Sequence, residues 1–363
     1  MRTTSPEGRC PNTLENRAGT TLQCYVSPAV TNTPHDALFK TIFGQPEHAA
    51  AELQHILPGH IAARIDWSSL TPQPGTYVDE ELADQHSDLL FSAATRPSHE
   101  PVFVYVLFEH QSTVQPRMAL RLLRYMVRIW ARHANERAES PLPLIVPAVL
   151  AHAPGGWTAP TRFSDLFSAS VADIAPGVLP DFQYAVDDLG RSSDADLRAR
   201  TLANVARLSL WLLRDARDRD VLLRSLPSWT GDLESLAQLP RGKDLLIVLL
   251  RYIAKASRDL QLSEFRAILD GQAPTAEAVT VTIEEQLHAE GHAKGLVQGK
   301  AQGRAEGLAE GKADSVLVLL RARGLHVSAA VQERIESCTD AETLDRWLVR
   351  AATVSDPADV FEP

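Results

Sequence analysis

The sequence predicts an α/β protein: a mixed sheet flanked by helices, then a helical region and a small C-terminal helical module. Three observations carry this. Two strand-forming runs, SDLLFSAAT (87–95) and VFVYVLFEHQS (102–112), flank the turn-forming RPSHEP and read as an antiparallel hairpin. The helix-periodic QPRMALRLLRYMVRIWARHANER (115–137) then leads to a third apolar run, LPLIVPAVLAH (142–152), and a helix joining two buried strands suggests a crossover with partly parallel pairing. From about 192 to 270 the signals are helical, in DLRARTLANVARLSLWLLRDA and DLLIVLLRYIAKAS.

In chain order, residues 1–30 are rich in Thr, Ser, Pro and Asn without periodicity and read as a disordered lead. Order begins at TPHDALFKTIFG, where Pro34 can open a helix carrying the stripe Leu38, Phe39, Ile42 and Phe43. PEHAAAELQHIL continues as a second helix that Pro58-Gly59 stops, and TYVDE (76–80) is a short strand candidate before the hairpin. A domain over 31–270, with its core at 33–155, is the expectation.

Past it, Gly291, Gly295, Gly299, Gly303, Gly307 and Gly311 recur every fourth residue among charged neighbours. Each glycine weakens a helix by about 1 kcal/mol relative to alanine, while the four-residue period would draw a shallow stripe for close helix pairing. Residues 271–313 therefore read either as a partly helical charged linker or as a self-association element, and homo-oligomerisation through the C-terminal region is an expectation. Residues 314–363 read as a small helical module, with Thr339-Asp340 as a cap before its last helix.

Composition narrows the function classes. A formal net charge of -10 over 363 residues argues against coating nucleic acid by bulk charge, and leaves room for a local basic face. Cys10, Cys24 and Cys338 are scattered and never CxxC, so neither a disulfide framework nor a zinc cluster is indicated, and a reducing cytoplasmic setting fits. The N-terminal residues carry no apolar signal-peptide core, and no apolar run approaches the roughly 20 residues needed to span a bilayer, so no membrane partner is expected. GxSxG, P-loop and HExxH motifs are absent, which weakens serine hydrolase, ATPase and metalloprotease readings.

The hairpin's second strand does not stay apolar: it ends in Glu109, His110, Gln111 and Ser112. Side chains two apart on a strand share a face, so Glu109 and Gln111 go together and His110 goes the other way. With the turn near 96–99, residues whose numbers sum to about 195 lie opposite one another. Asp88 then falls near residue 107, and a small register adjustment or bulge puts Asp88 and Glu109 on one face. Two close carboxylates repel unless a positive charge lies between them, and a hard divalent cation such as Mg²⁺ takes one or two carboxylates plus water and phosphate oxygens. Gln111 can orient a water or a phosphate oxygen. A strand-end carboxylate that is merely solvated is the plain alternative.

In this order, PHDALFKTIFG, YVDEELADQHSDLLFS, VYVLFEHQS, MALRLLRYMVRIWARH and LPLIVPAVLAH resemble the Rpn family of recombination-promoting, transposase-like nucleases in the PD-(D/E)xK superfamily. The resemblance covers about residues 33–270. It implies a restriction-endonuclease-like core and Mg²⁺-dependent DNA cleavage, with Asp88 and Glu109 as the metal-binding acids and Gln111 where the superfamily more often has lysine. The His110 carbonyl is a candidate third ligand. Asp36, near the place of a superfamily accessory acid, would bind a second metal or a water, or would simply favour the helix start.

Arg117, Arg121, Arg124, Arg128 and Arg132 fall at spacings that put five guanidinium groups along one stripe of the following helix. The stripe reads either as a DNA-backbone track or as a solvated face. The expected activity is a Mg²⁺-dependent DNA endonuclease; the alternatives are a catalytically inactive DNA-binding or scaffold protein on the same fold, and an RNase.

Overall fold

The computed structural model describes residues 33–74, 89–97, 101–109, 114–172, 174, 177–257 and 259–362. The expected disordered lead, the 76–80 strand, Asp88, His110 and Gln111 lie outside the described residues.

The architecture is mixed α/β. Helices α1 (Pro34–Phe43), α2 (Pro46–Ile56) and the single turn α3 (Gly59–Ala62) precede three strands, β1 (Ile65–Gln73), β2 (Leu89–Thr95) and β3 (Pro101–Glu109). Helix α4 (Met118–Glu136) crosses over to β4 (Leu144–Ala151), and a short helix α5 (Ala169–Ala172) precedes β5 (Ala185–Asp188). The strands form one sheet in the order β1-β2-β3-β4-β5. β1-β2 and β2-β3 are antiparallel, β3-β4 and β4-β5 parallel. The hairpin register is the expected one, with Leu89 opposite Val106 and Ala94 opposite Pro101, and the crossover between β3 and β4 is parallel as the sequence predicts.

Local sequence explains the elements. Pro34 sits in the first turn of α1, and Thr33 and Asp36 close a reciprocal capping box there. β4 is buried from Ile145 through Ala151, as befits a strand covered on both faces. On one face Ile145, Val149 and Ala151 pack with Met118, Leu122 and Met126 of α4. On the other, Leu89, Phe91 and Leu150 meet Phe39, Phe43 and Leu53 of α1 and α2.

A helical layer follows: α6 (Asp194–Ala199), α7 (Asn204–Asp215), α8 (Arg219–Ser225), α9 (Thr230–Ala237), α10 (Gly242–Ala256) and α11 (Leu262–Leu269). Its centre is the stacked pair Trp211–Trp229, with ring centroids 5.2 Å apart. The helix-periodic run at 192–216 is broken between α6 and α7. Arg200 leaves the helix there in extended conformation, and its guanidinium bonds Asp187 of β5 at 2.6 and 2.9 Å and Glu52 of α2 at 2.7 Å. A buried arginine shared by two acidic side chains thus outweighs helical continuity.

The chain divides into two compact units, Met1–Val281 and Thr282–Pro363. Helix α12 (Pro274–Ala322) begins in the first and ends in the second, so the glycine-spaced segment is helical throughout. The second unit adds α13 (Ala329–Glu336) and α14 (Ala341–Ala351), with its own core of Val316, Leu317, Leu320, Ile335 and Leu344 and a Trp347–Phe361 contact at 4.8 Å. Asp340 caps α14 by accepting from the Glu342 and Thr343 amides.

Candidate active site

The C-terminal ends of the three parallel strands form the relevant edge of the sheet. Glu109, the last residue of β3, is level with Ala151 of β4, and Ala151 is level with Asp188 of β5. In open sheets with parallel strands, this end is where ligands bind.

One residue past β4, His152 is buried, and its ring lies 5.2 Å from that of His35 in the first turn of α1. Arg217, in the α7–α8 connection, donates its Nε–H to His35 Nε2 at 3.3 Å. A guanidinium only donates, so Nε2 is the acceptor and the imidazole proton resides on Nδ1. Nδ1 is 2.7 Å from the Tyr252 hydroxyl of α10. That orders the chain Arg217 to His35 to Tyr252, and the Tyr252 hydroxyl reaches the Leu212 carbonyl at 3.4 Å. Burial pushes the Tyr252 hydroxyl well above its ordinary range and draws the Arg217 guanidinium down, the latter partly offset by the Tyr252 phenol.

His152 and Arg217 border a cleft of about 620 Å³, whose lining also includes Ala153, Arg214, Arg224 and Ser225. Arg214 is a wall residue: it bonds both Asp215 oxygens at 2.6 and 2.8 Å, the Ser192 carbonyl at 2.9 Å, and Asp194. Pro154 belongs to the same lining, and the chain turns there through Gly155 and Gly156. Gly156 has φ +84°, and a Cβ there would lie 2.3 Å from Arg191 Nε, so glycine is needed where the turn passes Arg191 and Asp188. Asp188 Oδ2 accepts the Trp157 amide at 2.6 Å, which ties this turn to β5.

The chain matches the family described as "Putative transposase, YhgA-like" over residues 33–243. It belongs to that family. It is 29% identical to the recombination-promoting nuclease RpnD of Escherichia coli O157:H7 over 71% of this chain and 95% of that protein. It is 27% identical to the recombination-promoting nuclease RpnA of E. coli K12, over 73% of this chain and 87% of the relative. A third relative, the inactive recombination-promoting nuclease-like protein RpnE of E. coli K12, is 26% identical over 73% and 85%. No solved structure matches.

In this YhgA-like chain the sequence-predicted residues are distributed as follows. Glu109 ends β3 on the sheet edge just described. Asp88 directly precedes β2 in sequence, and Gln111 follows Glu109 by two, but both lie outside the described residues, as does His110. Asp36 is buried; its Oδ2 accepts the Thr33 amide at 3.0 Å while the Thr33 hydroxyl accepts its own amide at 3.3 Å, the helix-start role. The arginine stripe of α4 is not uniform. Arg117 and Arg124 are exposed, whereas Arg121, Arg128 and Arg132 are half-buried, with Arg121 over the Tyr125 ring and Arg132 bonded to Glu136 at 2.8 Å. The exposed line along the helix therefore reads Arg117, Leu120, Arg124 and Val127.

The His35, His152, Arg217 and Tyr252 group and the Arg224 cleft have no short-range signature in the sequence, since His35 and Arg217 are 182 residues apart. Among the described residues no group of three His, Cys, Asp or Glu side chains is placed to hold a metal ion, and no helix is long and apolar enough to cross a membrane.

Proposed function

We propose that this YhgA-like chain is a divalent-metal-dependent DNA endonuclease whose centre is the end of β3. The observation that carries the reading is the strand plan. A helix, an antiparallel β1-β2-β3 meander, the crossover helix α4 and a parallel β4 bring Glu109 to the ligand-binding end of the sheet, with Asp88 one residue before β2. This order suits a restriction-endonuclease-like core. The relatives named as nucleases, RpnD and RpnA, match over most of their length and support the same reading.

The donor set fits a hard cation: two carboxylates, Asp88 and Glu109, with the His110 carbonyl as a third oxygen, suit Mg²⁺ and offer nothing soft enough to select zinc by thiolate. When bound, such an ion lowers the pKa of a coordinated water and stabilises charge developing on phosphorus. The chain's own residues do the rest. Gln111, a donor and acceptor with no titratable proton, positions the water or a non-bridging phosphate oxygen and leaves proton removal to bulk solvent or the substrate. Arg117 and Arg124, exposed on α4 immediately after the site, are placed to contact the DNA backbone without reading sequence. A reducing, cytoplasmic setting belongs to this reading.

Plasmid nicking by purified protein in Mg²⁺ tests it. EDTA should abolish cleavage, and Glu109→Ala should lower it about 100-fold or more, the equivalent of several kcal/mol of transition-state stabilisation. RpnE, named inactive at nearly the same identity and coverage, favours one specific second reading, a catalytically inactive DNA-binding protein on this fold. Metal-independent DNA binding, with no nicking by wild type and no effect of Glu109→Ala, would select that reading. Cleavage of RNA but not DNA in the same assay would select an RNase.

A further inference from the structure

The cleft beyond β4 has no part in the residues assigned to cleavage, yet its chemistry is specific. It lies within the first unit, between the residues after β4 and the α7–α8 corner, and its volume of about 620 Å³ falls inside the roughly 300–1,000 Å³ typical of ligand sites. Three guanidinium groups line it, and their states differ. Arg214 is consumed by Asp194, Asp215 and the Ser192 carbonyl, so it builds the wall. Arg217 is half-buried and oriented by its bond to His35 Nε2, which is in turn held by Tyr252. Arg224 is exposed on the rim and pairs with no acidic side chain among the described residues.

The two carboxylates in the lining are largely committed. Asp215 is bridged by Arg214 and by the Ser225 hydroxyl at 2.7 Å. Asp218 caps α8, its Oδ1 accepting the Asp220 and Val221 amides at 2.9 and 3.0 Å. One oriented and one exposed guanidinium facing a nucleotide-sized space is chemistry that takes a phosphodiester. The place is also right: His152, in the cleft wall, follows Ala151, which is level with Glu109.

We propose that this cleft is a nucleic-acid backbone subsite, in which Arg224 and Arg217 hold a phosphate of the strand that runs past the end of β3. Arg217 and Arg224 are thus binding residues, and His35 with Tyr252 are positioning residues that aim Arg217. This rests on the nuclease reading for the identity of the ligand.

The test is binding of a fluorescently labelled DNA duplex to the full chain in EDTA, measured by anisotropy across a salt series. Each lost phosphate contact should flatten the dependence of log affinity on log salt by about 0.9. Arg224→Ala, on an exposed position, and Arg217→Ala should each do so and weaken binding about five- to tenfold at low salt. Asp218→Asn keeps the helix cap and removes a negative charge from the rim, so it should tighten binding. Inorganic phosphate should compete at millimolar concentration with wild type and less with Arg224→Ala. Wild-type affinity and salt slope in both arginine variants would overturn the proposal, as would loss confined to Arg124→Ala, which would assign the strand to the α4 face. Failure of the wild type to bind would overturn it as well. Cleavage in Mg²⁺ is scored separately. No cleavage with arginine-dependent binding intact would sink the nuclease reading and leave the subsite, whereas cleavage unaffected by either arginine would do the reverse.

Discussion

Glu52 and Asp187 are two buried carboxylates that share one guanidinium, Arg200, at 2.6 to 2.9 Å. One positive charge cannot balance two negative ones in a dry site, so burial, reinforced by the nearby Asp187, holds the Glu52 carboxyl well above its ordinary value of 4.5 despite the opposing pull of Arg200. The consequence for stability has a definite sign. Folded Glu52 keeps its proton where the unfolded chain has lost it, so its contribution is complete below about pH 4.5 and is lost as pH rises through the elevated folded value. Glu52→Gln keeps a hydrogen-bonding group without the titration. Urea denaturation of wild type and Glu52→Gln from pH 5 to 8 should show the variant's stability declining less, and parallel curves would mean that Glu52 is ionised in the fold. Arg200→Met, by contrast, leaves both acids without their shared guanidinium and should lower stability by about 3–5 kcal/mol in the same assay.

At the scale of elements, α12 makes a direct prediction. A Cβ added at any of Gly291, Gly295, Gly299, Gly303, Gly307 or Gly311 would meet nothing within 4 Å, and none has the positive φ that would demand glycine. Gly299→Ala with Gly303→Ala should therefore stabilise this stretch by about 1 kcal/mol per site and slow its amide exchange. If the stripe instead seats a second copy, the same pair of changes would weaken self-association in sedimentation. Other elements show what local sequence can specify. The β2–β3 pairing was legible because two apolar runs flank a turn and the register then follows from the turn's position alone; α1, α2, α4 and β4 were legible from caps, prolines and periodicity. β1 was not, because its run IDWSSLTPQ is half polar and carries a bulge: Asp66 pairs with Ala94 but Thr71 with Ser92, and the Ser69 hydroxyl takes the Ala94 amide inside that bulge. β5 was missed because its strand is four residues long and half acidic, AVDD. The acids at the end of the hairpin stand out locally as a break in an apolar run, whereas the cleft joins His152 after β4, Ser192 and the α7–α8 corner, and His35 and Tyr252, which hold Arg217, come from α1 and α10; only the assembled fold brings these together.

For the whole molecule, the two units have separate cores, and the helix between them is the weak point. From His288 to Leu308 every residue of α12 is exposed, so nothing but the backbone ladder and a few side-chain pairs such as Gln302–Glu306 holds that stretch. An isolated helical segment rich in glycine opens locally at little free energy, and Lys294, Lys300 and Arg304 lie within it. Limited trypsin should cut there first, while α4, with four arginines but with Leu122, Met126 and Ile129 buried against the sheet, resists. The N-terminal product contains the whole sheet and the cleft together with the start of α12, where Ala276, Val279 and Ile283 are buried. It should therefore keep its duplex affinity and melt within about 2 °C of the same transition in the intact chain, a shift that corresponds to about 1 kcal/mol for a unit of this size. Loss of that transition on cutting would mean that the C-terminal unit is part of the α/β fold rather than a module appended to it.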